Sequence, residues 1–147
     1  MLKQIKFKQI MIAGAMLAVA GLAQAKDDAH YLDFNQAVQS AVADGAIDGS
    51  VKFYLAGTKS GGAIVSKGLI SNKKTNGFGK SAEKACDWAV RSAIIQFHES
   101  AKARGANAVT NIVSFYKRNE YKDTSKYECH KGGVIAGVTL KGDLVKF

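Results

Sequence analysis

Proline is absent from the 147 residues, and cysteine, histidine and tryptophan number only two, three and one. The shortage of soft and imidazole ligands argues against a metal centre. His30, His98 and His130 are far apart, no two fall at ligand spacing, and only His130 adjoins a cysteine. A glycine-rich phosphate loop is also missing. Gly77-Phe78-Gly79-Lys80-Ser81 ends in Gly-Lys-Ser, but the first glycine of the full spacing would fall on Lys74, and no acidic metal-binding strand accompanies it. No serine, cysteine, histidine and carboxylate set forms a recognisable nucleophile group. Glu99 beside His98, and Asp87 four residues before Arg91, read as helix-surface charges. No catalytic residue, cofactor or metal is expected, and the chain reads as a non-enzyme.

Long apolar runs are confined to the start. Lys3, Lys6 and Lys8 lead into the apolar stretch from Ile10 to Ala20, and Ala23-Gln24-Ala25 supplies small residues for a signal peptidase. The stretch is short of the roughly 20 apolar residues a membrane span needs, and Lys26-Asp27-Asp28 follows it at once. Residues 1–25 are therefore expected to be a cleavable signal peptide, leaving 26–147 as one domain that is periplasmic or secreted and soluble. Lys26 stands where a bacterial lipoprotein would need cysteine. Cleavage would remove three of the 21 basic residues and none of the 12 acidic ones, lowering the formal charge from +9 to +6. The remaining lysines are interleaved with acids, which suits a solvated surface better than a nucleic-acid groove.

Two cysteines in an exported chain are most simply a disulfide, Cys86 to Cys129, because that compartment is oxidising. Two free thiols or a shared metal are the alternatives. Tyr31 to Ala43 places apolar residues at helical spacing, with Asp33 able to cap and Asp44-Gly45 to stop it. Val51, Phe53 and Leu55 alternate as a strand. Ala63 to Ser71 reads as a second, antiparallel to it if the link is a hairpin. Ala82 to Arg104 is expected to be one long helix capped by Ser81 and closed by Gly105, with Cys86, Val90, Ile94, Phe97 and Ala101 on its buried stripe. Trp88 and Ile95 mark another flank. Asn107 to Tyr116 and Tyr127 to His130 read as strands around a polar loop from Lys117 to Lys126, or the tip of a long hairpin. Gly133 to Leu140 is a further strand that Leu144-Val145 can extend past Gly142-Asp143. The expected class is α+β: one domain, a mostly antiparallel sheet of about four to five strands on one long helix, a β-β-α-β-β core with a short N-terminal helix.

The junction Ala103-Arg104-Gly105-Ala106-Asn107-Ala108-Val109 and the glycine-rich strand Gly132 to Val138 resemble the small YbjQ-like and RcsF-like α+β domains. Asp48 to Tyr54, Ser71 to Asn76, Ala85 to Trp88 and Glu128-Cys129-His130 resemble a family of small exported bacterial proteins often labelled "excinuclease ATPase subunit". The missing phosphate loop is at odds with that label. RcsF-like proteins are lipid-anchored envelope stress sensors with two disulfides, one of which the Cys86 to Cys129 spacing resembles. The second pair and the lipidated cysteine are absent, so the sensor role does not carry over. YbjQ-like domains are described as metal-binding ring oligomers, for which this chain has too few histidines and cysteines.

Lys67, Asn72, Lys73, Lys74, Asn76 and Lys80 form a candidate set of anion-seeking groups, with a solvated loop as the alternative, and the helix start at Ser81 adds positive potential at the same end. Read as a lysine-rich loop, they suit an envelope protein or an anionic glycan or lipid surface. The leading expectation is a non-enzymatic envelope accessory or interaction protein. The alternatives are a homo-oligomeric structural protein, using strand edges or the Trp88 flank, and a periplasmic small-ligand or metal-binding module. Mass spectrometry of the exported protein should show a chain beginning at Lys26. A chain retaining residues 1–25 would overturn the export reading.

Overall fold

The computed structural model describes residues 27–147, so the expected signal peptide lies outside them. The described chain is a single mixed α+β domain with two helices and a six-stranded sheet. Strand β1 (Asp28–Asp33) runs directly into helix α1 (Phe34–Ala43), where the Asp33 carboxylate accepts the Gln36 N–H at 2.9 Å. The cap is the expected one, but Tyr31 to Asp33 belong to β1 and not to the helix. Tyr31, Leu32 and Asp33 pair with Glu128, Tyr127 and Lys126. Leu32 and Phe34 satisfy a period of two as well as a helical face, so the pattern alone did not separate strand from helix.

Helix α2 (Ala82–Ala103) follows its sequence signals closely. The Ser81 hydroxyl accepts the Lys84 N–H, Glu83 occupies the first turn, and Gly105 closes the helix at φ +76°. Cys86, Val90, Ile94, Phe97 and Ala101 are all completely buried. Ala85, Ala89 and Ala93 beside them are equally buried and let the helix approach the sheet closely.

The remaining strands are β2 (Lys52–Leu55), β3 (Ala63–Asn76), β4 (Ala108–Ser114), β5 (Lys126–Lys131) and β6 (Ile135–Lys146). Strand β6 is the spine. One edge pairs antiparallel with β3 from Ala63↔Lys146 to Asn76↔Ile135. The other edge is divided: β4 takes Leu140 to Val145, and β5 takes only Gly137 and Ala136. Strand β2 then adds to β4, and β1 to β5.

Several expectations change with this topology. The sheet has six strands, not four or five. Strands β2 and β3 are not hairpin partners, because β2 pairs with β4 in parallel. A strand of four residues offers β3 few hydrogen bonds, whereas β6 offers a ladder of twelve residues. Nor do β4 and β5 form a long hairpin. A single bridge, Ser114↔Tyr121, replaces it, and the Ser114 hydroxyl accepts the Glu128 N–H. The segment from Lys117 to Lys126 is a mostly exposed loop tied to the body at its flanks. The Lys141 ammonium lies over the Phe115 ring, Tyr121 packs on Tyr31, and the Ser125 carbonyl accepts the Phe34 N–H.

Both neighbours of β6 slip register around Asp143. Its carboxylate accepts the Gly68 N–H at 2.8 Å and lies 3.5 Å from the Asn111 amide, and Gly68 and Asn111 both take positive φ. Adjacent Gly142 leaves no room for a side chain, since a Cβ there would stand 3.0 Å from side-chain carbons of Val109 and Ile112.

Cys86 and Cys129 form the expected disulfide, with Cα atoms 5.9 Å apart, tying α2 to β5. The sequence separation of 43 gives a loop-closure contribution of about 4 kcal/mol. Replacing both cysteines by alanine should lower unfolding free energy by about 3–4 kcal/mol in a denaturant titration. Hydrogen exchange should accelerate first in β1 and β5, which the bridge holds against the helix. Unchanged protection in those strands would contradict this account.

Candidate functional site

The lysine-rich segment is not a loop. Lys67, Asn72, Lys73, Lys74 and Asn76 lie on β3, and only Lys80 lies in the turn that precedes α2. The ladder with β6 runs on to Asn76↔Ile135 and overrides the polar composition, as tertiary pairing often overrides strand propensity. Strand alternation then divides the group. Asn72 and Lys74 pair with Thr139 and Gly137 on the face away from α2, whereas Lys73 pairs with Val138, whose side chain is in the core beneath α2.

Three members of the set serve the fold. The Asn72 carbonyl accepts the Thr139 hydroxyl at 2.9 Å, Asn76 accepts the Phe78 N–H, and the Lys80 ammonium donates to the Asn76 carbonyl. Lys67, Lys73 and Lys74 have no ion-pair partner among the described residues. Strand β3 carries these three lysines and no acidic residue over its 14 positions. Among the described residues it pairs with β6 alone, so its other edge presents backbone groups that no described strand pairs.

Lys74 also reaches a groove of about 600 Å³ on the outer face of the sheet, shared with Asp27, Tyr116, His130, Val134 and Ile135. Gly132, Gly133 and Gly137 complete it. The Tyr116 ring stacks on the His130 imidazole at 3.7 Å and 7°. His130 Nε2 lies 2.8 Å from a Glu128 carboxylate oxygen, and Nδ1 lies 3.5 Å from Asp27 without hydrogen-bond geometry. Asp27 also receives the Tyr116 hydroxyl at 3.4 Å and stands 3.6 Å from the Lys117 ammonium. Burial, reinforced by the Asp27 charge, raises the Tyr116 phenol above its ordinary value.

These partners escaped the sequence because Asp27 and Tyr116 are 89 positions apart. One signal was present: Glu128 and His130 flank buried Cys129 on a strand, which puts both on the opposite face. The other histidines lie elsewhere. His98 sits 3.6 Å from Asp48, and His30 is on β1. Among the described residues no three histidine, cysteine or carboxylate side chains are arranged to hold a metal ion.

Two further surfaces were singled out by sequence. Trp88 is half exposed, with the Arg91 guanidinium 6.0 Å from its ring centroid. Arg91 bonds Asp87 at 3.3 Å, the helix-surface pairing expected of those two charges, and also Asp44 at 2.6 Å across to the end of α1, which was not expected. The pseudo-phosphate loop has its groups engaged: the Gly77 N–H donates to Val134, and the Ser81 hydroxyl caps α2. No described helix is long and apolar enough to cross a membrane.

Core Tyr127 has its phenol pushed well above the ordinary range, by burial first and the Asp87 charge second. A folded-state phenol pKa above the unfolded value stabilises the fold fully below about pH 10 and loses that contribution as pH rises. The denaturation midpoint should therefore fall above about pH 10, and Tyr127→Phe should blunt the fall. An equal alkaline loss in the variant would show that Tyr127 is not responsible. No family model matches the chain, and neither does any curated protein or solved structure.

Proposed function

We propose that this chain is a non-enzymatic exported accessory protein of the cell envelope, of RcsF-like or YbjQ-like fold, and that it works by contact. The observation that carries the reading is β3: an unpaired strand edge with three uncompensated lysines and no acid. Fixed positive charge on a rigid strand favours an acidic partner, whether a protein segment, an anionic glycan or an anionic lipid surface. The same charges disfavour a second copy, because β3 strands brought edge to edge would oppose lysine to lysine. A contact protein needs no catalytic group, and the disulfide suits an oxidising compartment.

The test compares two variants of equal charge change. Lys73→Glu with Lys74→Glu should weaken binding to heparin, anionic vesicles or poly-glutamate by about tenfold, equivalent to about 1.4 kcal/mol. Lys122→Glu with Lys146→Glu, both exposed and away from the middle of β3, should change it much less. Equal losses would mean that net charge alone drives binding, and the proposed contact surface would be wrong.

A further inference from the structure

We propose that the groove on the outer sheet face is a binding site for a small organic anion with an apolar body, an aryl or alkyl carboxylate or sulfonate. It shares Lys74 with the free edge of β3, while the rest of its lining lies off that strand.

The first argument is shape. The volume of about 600 Å³ lies within the range of small-molecule sites. Its floor is bare because glycine occupies Gly132, Gly133 and Gly137. At Gly137 a Cβ would project between the Lys74 stem, 3.5 Å away, and the Tyr116 ring edge, 3.7 Å away. The missing side chain therefore keeps the space between cation and ring open. A Cβ at Gly133 would meet nothing within 4 Å.

The second argument is the kind of surface exposed. Val134 and Ile135 are 57% and 49% exposed although Val134 precedes and Ile135 opens the core strand β6, so the groove offers apolar wall to solvent. Tyr116 closes one end, held rigid by its stack on His130. An apolar ligand gains by covering such a wall, at roughly 25 cal/mol for each Å² removed from water.

The third argument is charge, and it selects among apolar ligands. Both carboxylates at the Tyr116 end already have partners: Asp27 accepts the Tyr116 hydroxyl at 3.4 Å and lies 3.6 Å from the Lys117 ammonium, and Glu128 lies 2.8 Å from His130 Nε2. Lys74 is the only charge lining the groove without an ion-pair partner among the described residues. A cationic ligand would find no free carboxylate. A polyanion would find one ammonium where it needs several. One negative group on an apolar body matches what the groove presents.

The test uses the exported protein and the fluorescent probe 1-anilinonaphthalene-8-sulfonate. Saturable one-site binding is expected, with 2-naphthoate displacing the probe and the neutral 2-naphthalenemethanol at least tenfold weaker. Lys74→Met should weaken the probe about tenfold, and Gly137→Val should abolish its binding. Lys67→Met, on the same strand but outside the groove, should leave it unchanged. Should Gly137→Val fail to fold, Ile135→Glu at an exposed position supplies the blocking variant. Equal displacement by acid and alcohol would overturn the proposal, as would binding indifferent to both Lys74→Met and the blocking variant. Light scattering showing that Ile135→Glu separates a dimer into monomers would overturn it too, since a second copy would then cover the groove. Gly137 and Ile135 do not belong to the lysine edge, so loss of probe binding there is distinguishable from failure of the contact reading.

Discussion

The Cys86–Cys129 bridge is the constraint on which the sheet's second half depends. Strands β1 and β5 pair with each other over six positions, yet β5 joins the spine through only two, His130↔Gly137 and Lys131↔Ala136. So short a ladder supplies little cooperative hydrogen bonding. Fixing β5 to α2, itself buried along its whole inner face, gives that leaf a covalent anchor where backbone pairing is thin. Packing completes the attachment. Phe34 is completely buried at the start of α1 and meets the Tyr127 ring edge-on, so α1 is clamped over the same leaf. His130 follows Cys129 directly. The wall of the groove is therefore positioned by the bridge as much as by the sheet.

The spine explains why the leaf can attach at all. Strand β6 is buried on both faces over much of its length, and one of its edges serves two different strands in succession. A straight ladder would carry β4 along the positions that β5 uses. The register slip at Asp143 bends the neighbours, and the positive φ of Asn111 and Gly68 provides the backbone geometry. A buried carboxylate is costly unless its oxygens are engaged, and here the Gly68 N–H and the Asn111 amide approach one oxygen each. Gly142 lets Val109 and Ile112 close over the strand at the same level. One polar pin and one missing side chain thus shape the middle of the β4–β6 pairing, and β5 takes the same edge below Leu140.

What was legible in the sequence follows from this division between local and distant causes. Helix α2 was readable to its caps because Ser81, Glu83 and Gly105 act within a turn of the residues they govern. The disulfide was readable because two cysteines, in a chain expected to enter an oxidising compartment, leave few choices. Strand β1 was hidden because Leu32 and Phe34 fit both periods, and only pairing with β5 decides between them. The fate of β2 and the extension of β3 through its lysines were hidden for the same reason: each rests on a partner more than 50 positions away. The groove joins residues from the first described position to Gly137, and no local pattern encodes that meeting.

Strand alternation gives the lysines a meaning that composition could not. Among the described residues three strands, β1, β2 and β3, have only one partner each, so the described sheet has several open edges to protect. Shortness protects β2 at four residues, but β3 is long enough to invite pairing. Its register slips interrupt the first half, leaving Leu69 to Asn76 as a regular stretch where lysines supply the remaining deterrent. Lys73 and Lys74 are consecutive and therefore point to opposite faces. A ligand in the groove meets Lys74 without meeting Lys73, while an acidic chain running along the edge lies beside both. The two proposed contacts thus share one ammonium and no more, and a partner neutralising Lys74 from the edge would weaken the hold of the groove on an anion.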